Sequence, residues 1–447
     1  MFHSVDVVSG GILYRRDAQS WAAFEPEFSR LKQRQQHFAA LDVTARAALL
    51  QKFADRLADG QERLAEMVCE EVGRCLHECR AELNKSVELI RYYARLAPEL
   101  LAHKTIATQA SLSQVRFEPL GVVLAVMPWN YPVWQILRFA IPALCAGNAC
   151  VVKPAPSVAR VTAALFDLIG EDLPMIPAWL GHDDTLKAIE AADAMAFTGS
   201  TRTGRLLAAH AGMHLKKTVL ELGGSNAFIV MPDADLAQAA KDTCYSRFRD
   251  AGQSCNAAKR IIVTEAVADE FIPLFLAECA KLKSGNPKDA ATTLAPLHRA
   301  DLRDTVHEQV LDAVAHGAVC LTGGEMPEGA GWFYPATVLD RVHPACRVYH
   351  EEVFGPVAMI LRAENEAHAV ELANDSPFGL GAAIYSRDTA QAWRYAENIQ
   401  AGSVFINRHT SSDLRLPFGG VKASGYGREL SEFGLYEFVN VKTYWQK

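Results

Sequence analysis

Several features that would assign this chain of 447 residues to a function class are absent. Its ten cysteines form no CxxC pair, and we find no cluster of cysteine and histidine at zinc-site spacing. We therefore expect neither a disulfide framework nor a metal site. Unpaired thiols without a secretion signal are typical of a reducing compartment.

Long apolar runs and blocks of like charge are also missing. An apolar run such as Gly121–Met127 is too short to span a bilayer, and the start, Met1–Asp6, lacks a basic segment followed by an apolar core. The net charge is −7, with acidic and basic residues interspersed, which gives no electrostatic reason to bind nucleic acid. We expect a cytoplasmic protein with neither a membrane nor a nucleic-acid partner.

Short apolar runs separated by helical stretches are the main pattern that is present. Gly121–Met127, Ala149–Val152 and Ala194–Thr198 predict strands buried on both faces, and their alternation with helices predicts a parallel, doubly wound sheet. Ligands bind beyond the carboxyl ends of such strands. A second alternating block, from Thr218 to about Phe405, predicts a second α/β domain.

Two short segments offer reactive groups. Cys255 follows Ala251-Gly252-Gln253-Ser254, and a cysteine flanked by glycine and small polar residues favours close approach of a substrate to its thiol. Glu221 ends an apolar run and is followed by Leu222 and two glycines. Each signal is weak alone, because most cysteines are inert core residues and most glutamates are solvated or paired.

Together with five further motifs, these segments resemble the aldehyde dehydrogenase superfamily, and most closely its succinate-semialdehyde dehydrogenase branch. The further motifs are Pro128–Pro132, Lys153–Ala155, Phe197–Thr201, Glu351–Pro356 and Pro417–Gly425. The resemblance implies two doubly wound α/β domains plus a small β oligomerisation arm. It implies NAD(P)-dependent oxidation of an aldehyde to a carboxylic acid.

The resemblance assigns three catalytic roles. Cys255 is the nucleophile, which forms a thiohemiacetal and then a thioester. The side chain of Asn130 and the backbone N–H of Cys255 stabilise the oxyanion. Glu221 is the general base that activates water for hydrolysis.

Cofactor contacts follow from the same resemblance and from a strand–turn–helix segment at Gly199, where backbone N–H groups at a helix start suit a diphosphate. The residues assigned to NAD or NADP are Trp129, Lys153, Gly199, Ser200, Gly204, Leu222, Glu352 and Phe354. Many NAD-preferring members of this superfamily carry a glutamate where this chain has Pro156. We therefore expect NADP to be tolerated or preferred.

Candidate substrate residues point to a carboxylated aldehyde. Arg138, Arg249 and Ser412 coincide with the positions at which succinate-semialdehyde dehydrogenases hold the substrate carboxylate, and a guanidinium suits a carboxylate. Arg247 and Arg415 lie near these positions. We expect succinate semialdehyde or a similar short semialdehyde. The alternatives are another aldehyde, acyl transfer to coenzyme A (against which Glu221 argues), and a non-catalytic binding protein.

The domain expectation follows the motifs. Residues 1–104 and 118–221 are expected to bind the dinucleotide, residues 222–408 to form the catalytic domain, and residues 105–117 with 432–447 to form the oligomerisation arm. A homodimer or homotetramer is expected.

Overall fold

The structure is a computed structural model that describes residues 1–447. The helices are α1 (Trp21–Ala40), α2 (Val43–Val72), α3 (Leu76–Leu100), α4 (Trp134–Cys145), α5 (Ala159–Ile169), α6 (His182–Ala191), α7 (Thr201–Met213), α8 (Leu236–Phe248), α9 (Glu265–Cys279), α10 (Ala300–Ala315), α11 (Arg347–His350), α12 (Glu366–Asn374), α13 (Thr389–Ala396) and α14 (Ser431–Tyr436), with short 3-10 helices at Pro156–Val158 and Arg249–Gly252. No helix has the length and apolar character needed to cross a membrane.

The strands complete the inventory of regular structure. They are β1 (Phe2–Val5), β2 (Ile12–Arg16), β3 (Lys104–Thr105), β4 (Leu112–Pro119), β5 (Val122–Val126), β6 (Ala149–Lys153), β7 (Met175–Pro177), β8 (Ala194–Thr198), β9 (Lys217–Glu221), β10 (Asn226–Val230), β11 (Ala258–Thr264), β12 (Val319–Thr322), β13 (Thr337–Asp340), β14 (Val357–Ala363), β15 (Phe378–Gly379), β16 (Ala382–Tyr385), β17 (Val404–Ile406), β18 (Val421–Lys422), β19 (Gly425–Tyr426) and β20 (Val439–Gln446).

A six-stranded sheet is built from the three apolar runs and their neighbours. Its order is β19-β9-β8-β5-β6-β7, and every pair is parallel except the one that joins β19 to β9. The doubly wound α/β fold expected from the sequence is confirmed. Because parallel strands end at one edge, Asn130, Lys153 and Gly199 lie close to the same edge of this sheet.

The second large sheet has seven strands in the order β12-β13-β14-β11-β10-β16-β17. Only β12 is antiparallel to its neighbour. The two large sheets have separate cores of 50 and 49 buried residues. The chain passes directly from β9 in the first sheet to β10 in the second through residues 222–225. The Glu221 motif therefore lies where the two sheets meet.

A three-stranded antiparallel sheet, β20-β4-β3, stands apart from the large sheets. Within residues 432–447, the strand begins only at Val439, because residues 431–436 form α14. Leu435, on this helix, is fully buried, whereas Val441 and Trp445 on β20 are exposed.

Candidate active site

The segment before Cys255 turns sharply after α8. Asp250, Ala251 and Gly252 have positive φ angles of 54°, 51° and 73°. A left-handed conformation is costly for non-glycine residues and persists only where the surroundings hold it. A Cβ on Gly252 would lie 2.4 Å from the carbonyl oxygen of Gly355, so glycine is required there.

Buried charges from α3 and its N-terminal side hold this turn. Arg74 pairs with Glu82 and, at 2.6 Å, with Asp250. Glu78 accepts the backbone N–H of Asp250 at 2.7 Å. This network could not be predicted from the sequence, because α3 and the turn are far apart along the chain. The network places Cys255 at a defined position.

Lys259 ties three of the expected motifs together. Its buried ammonium donates to the carbonyl of Cys255 at 2.9 Å and to the carboxylate of Glu352 at 2.8 Å. Glu352 also accepts the N–H of Gly224 at 3.1 Å. A Cβ on Gly224 would lie 2.7 Å from the carbonyl oxygen of Cys255. The glycine motif after Glu221 thus packs directly on the cysteine loop.

The thiol of Cys255 and the carboxyl of Glu221 interact electrostatically. Burial raises the pKa of the Cys255 thiol, and the charges of Arg138 and Lys259 oppose that shift. Glu221 is 3% exposed, and its Oε1 atom has no hydrogen-bond partner. Burial and then the neighbouring Glu429 raise its pKa well above the usual range. An unpaired, buried carboxylate of this kind is a strong proton acceptor.

Asn130 follows β5 and reaches the cysteine loop. Its Nδ2 donates to the carbonyl of Gln253 at 3.0 Å, which leaves its second N–H free, since an amide group has two. The backbone N–H of Cys255 makes no backbone hydrogen bond. One N–H of Asn130 and the backbone N–H of Cys255 are therefore left without a protein acceptor.

The residues expected to bind the cofactor offer chemical groups that suit a dinucleotide. Burial lowers the pKa of Lys153 to about 8, and no carboxylate pairs with it. Ser200 caps α7 by accepting the N–H of Thr203 at 3.3 Å. A Cβ on Gly204 would lie 2.4 Å from the side chain of Leu222, so these two residues pack α7 on the sheet. An unpaired ammonium and a helix N-terminus fit ribose hydroxyls and a diphosphate.

Three aromatic rings pack together on the expected cofactor side. Trp129 stacks on His298 with ring centroids 4.2 Å apart, and it meets Phe354 edge to face with ring centroids 5.7 Å apart. His298 contacts the hydroxyl of Ser157 at 2.7 Å, and burial lowers its pKa to about 3, so it is neutral. The sequence did not reveal His298. Pro156 begins the adjacent 3-10 helix, and its ring puts no charge there.

A cavity of about 250 Å³ opens at Cys255 and is lined by Lys85, Arg138, Arg249 and Ser412. Lys85, on α3, was not expected from the sequence. Its ammonium donates to the hydroxyl and, at 3.1 Å, to the carbonyl of Ser412. Burial, and then the charges of Arg138 and Arg249, lower its pKa to about 8.

The expected arginines differ in their pairing. Arg138 is buried and pairs with Glu429. The nearest carboxylate to Arg249 is that of Asp250, at 3.9 Å, which already binds Arg74 more closely. No carboxylate therefore forms a close ion pair with the guanidinium of Arg249, which lines the cavity.

Two neighbouring arginines are excluded from this cavity. Arg247 is fully buried and donates to the carbonyl of Gly355, so it is structural. Arg415 lies outside the cavity and pairs with Asp413 at 2.7 Å.

The sequence profile of the aldehyde dehydrogenase family matches residues 9–444. The chain belongs to the aldehyde dehydrogenase family. It is 43% identical over 413 residues to a succinate semialdehyde dehydrogenase [NAD(P)+] of Escherichia coli K12, covering 91% of this chain and 89% of that protein. It is 42% identical over 416 residues to a probable NADP(+) succinate-semialdehyde dehydrogenase of Synechocystis, covering 92% of each.

Solved structures agree with this assignment. A succinic semialdehyde dehydrogenase from Streptococcus pyogenes in complex with NADP+ superposes with a TM-score of 0.97 at 33% identity, covering 100% of this chain and 99% of that one. This aldehyde dehydrogenase is thus an NAD(P)-dependent oxidoreductase that oxidises an aldehyde.

Proposed function

We propose that this aldehyde dehydrogenase oxidises succinate semialdehyde to succinate, with Cys255 as its nucleophile. The observation that supports this substrate is the cavity beside Cys255. It is lined by two cationic side chains without a close carboxylate partner, Lys85 and Arg249. The names of the relatives from Escherichia coli and Synechocystis support the same substrate.

The chemistry begins at the sulfur. The thiolate of Cys255 attacks the aldehyde carbon to form a thiohemiacetal, and the oxyanion receives hydrogen bonds from Asn130 and from the backbone N–H of Cys255. NAD(P)⁺, when bound, supplies the hydride acceptor. Lys259 holds the carbonyl of Cys255 and so keeps the sulfur oriented.

Hydrolysis of the resulting thioester requires a base. Glu221 accepts a proton from water while the water oxygen attacks the acyl carbon. The C–S bond then breaks, which releases the acid and the thiolate of Cys255. Its raised pKa and unpaired Oε1 suit this role. Acyl transfer to coenzyme A would not need such a base, so we favour water as acceptor.

The substrate carboxylate lies at the other end of the cavity. We assign it to Arg249, Lys85 and the hydroxyl of Ser412, which converge there. Arg138 is shared with Glu429, so we assign it an electrostatic influence on Cys255 rather than the main carboxylate contact. A charge-assisted hydrogen bond contributes about 1.5–3 kcal/mol, or roughly ten- to a hundredfold in kcat/KM.

Residues on the cofactor side support binding of either dinucleotide, with NADP favoured. Lys153 has the unpaired ammonium, and Pro156 lacks the carboxylate that would repel a 2′-phosphate. We assign Trp129, Glu352 and Phe354 to the nicotinamide end. Lys259, which donates to the carbonyl of Cys255, also binds Glu352, and Trp129 packs against Phe354.

The exposed apolar side chains of Val441 and Trp445 support subunit pairing through the three-stranded sheet. A soluble monomer would leave them in water. We therefore propose a homo-oligomer.

The experiment compares kcat/KM for succinate semialdehyde with that for butyraldehyde, which has the same chain length without the carboxylate. We expect a ratio above about one hundred. The variants Arg249→Met and Lys85→Met should each lower it about tenfold or more, with butyraldehyde little affected. Arg415→Met is the matched control, because this arginine lies outside the cavity.

The pH dependence of the same ratio provides an independent check. Lys85, with its pKa lowered to about 8, is charged below that pH and neutral above it. The KM for succinate semialdehyde should therefore rise above about pH 8, and less so in Lys85→Met. A wild-type ratio near one would refute the substrate proposal while leaving aldehyde oxidation intact.

A further inference from the structure

Two histidines and a glutamate form a cluster that takes no part in the chemistry above. His210 lies in the last turn of α7 and His214 is its C-cap, while Glu190 lies near the end of α6. Their ligand atoms lie within 4.8 Å of one another. None of the three lines the cavity at Cys255.

The distances between these atoms are those of ligands around one ion. The Nε2 atoms of His210 and His214 lie 3.1 Å and 3.7 Å from the same Oε1 atom of Glu190. Ligands bound at about 2.0–2.1 Å to a tetrahedral Zn²⁺ lie about 3.4 Å apart. A single ion can thus reach all three side chains with only small rotations.

The donor set also selects a class of cation. Imidazole nitrogens favour Zn²⁺, Ni²⁺ or Cu²⁺, whereas Mg²⁺ and Ca²⁺ prefer oxygen ligands. The side chains of His210, His214 and Glu190 are 17%, 39% and 44% exposed, so an ion can enter from solvent and keep water as a fourth ligand. The C-terminal end of α7 carries partial negative charge, which further favours a cation.

We propose that Glu190, His210 and His214 bind a divalent transition-metal cation, with Zn²⁺ as the representative ion, and that the ion ties α6 to α7. No metal site was expected from the sequence. The two histidines stand one helical turn apart, but β8 and the start of α7 separate them from Glu190 along the chain. Only the packing of α6 on α7 supplies the third ligand.

The test is a calorimetric titration of the full-length, tag-free protein with ZnCl₂. Wild type should bind one more Zn²⁺ per chain than a His210→Ala/His214→Ala double variant. Each of His210→Ala, His214→Ala and Glu190→Gln should weaken this site at least about tenfold. Excess Zn²⁺ should raise the melting temperature of wild type more than that of the double variant, because a ligand of the native state stabilises it.

His316→Ala is the matched control. His316 also caps a helix, α10, and lies 3.4 Å from the carboxylate of Asp312 one turn earlier, but it belongs to no cluster of three ligand side chains. The His316→Ala variant should bind Zn²⁺ with the same stoichiometry and affinity as wild type. The thiols, including Cys255, are common to all these proteins, so binding to sulfur cancels in the comparison. Equal stoichiometry and affinity in wild type and the double variant, or no binding by wild type at millimolar Zn²⁺, would overturn the proposal.

Discussion

The two sides of Cys255 are built by different means. On the substrate side, the long charged side chains of Lys85 and Arg249 reach into a cavity from separate helical segments. On the proposed cofactor side, the close packing at Gly204 and the helix N-terminus at Ser200 add backbone groups to the side chain of Lys153. A site made of side chains changes specificity by single substitutions, whereas a site made of backbone resists them. We therefore expect substrate preference to be easier to alter than dinucleotide binding.

Removing the sulfur where the two sides meet should have the largest effect. Cys255→Ser replaces a thiol by a much weaker nucleophile at neutral pH, and we expect kcat to fall at least about a thousandfold. Steady-state production of NADPH measures this. Dinucleotide binding, followed by fluorescence, should persist because the cofactor side is untouched. Retention of a kcat within tenfold of wild type would contradict a nucleophilic role.

A smaller effect, confined to one step, should follow Glu221→Gln. The amide cannot accept a proton, so thioester hydrolysis should slow about a hundred- to ten-thousandfold. The first turnover should still yield a burst of NADPH in a stopped-flow measurement. Because burial raises the pKa of Glu221, wild-type hydrolysis should weaken as falling pH protonates this carboxyl, and the variant should lose that dependence. Loss of the burst together with turnover would assign Glu221 a different step.

The smallest effect should be Pro156→Glu, which acts on the cofactor side alone. A carboxylate there should repel a 2′-phosphate, and we expect the KM for NADP⁺ to rise about tenfold relative to that for NAD⁺. Pro156→Gln is the matched neutral control. The KM for the aldehyde should stay unchanged, since Pro156 does not line the substrate cavity. An equal change with Glu and Gln would mean that backbone shape at this position matters more than charge.

The sequence by itself determined the architecture and the order of the reactive motifs. Apolar runs such as Val122–Val126 and the glycines after Glu221 are local signals, because burial on both faces and tight backbone approach require particular residue types in adjacent positions. The family could be recognised from the Glu221 and Cys255 segments taken together with the five further motifs.

Only the tertiary structure decided which charged side chains lack a close partner of opposite charge. Arg138 and Arg249 are equivalent candidates in the sequence. In the structure Arg138 pairs with Glu429, whereas Asp250 pairs closely with Arg74 and lies farther from Arg249. Lys85 and the ligand cluster of α6 and α7 were not recognised for the same reason. Long side chains choose partners from segments remote along the chain, and the electrostatic energy depends on distance and burial, which no local pattern encodes.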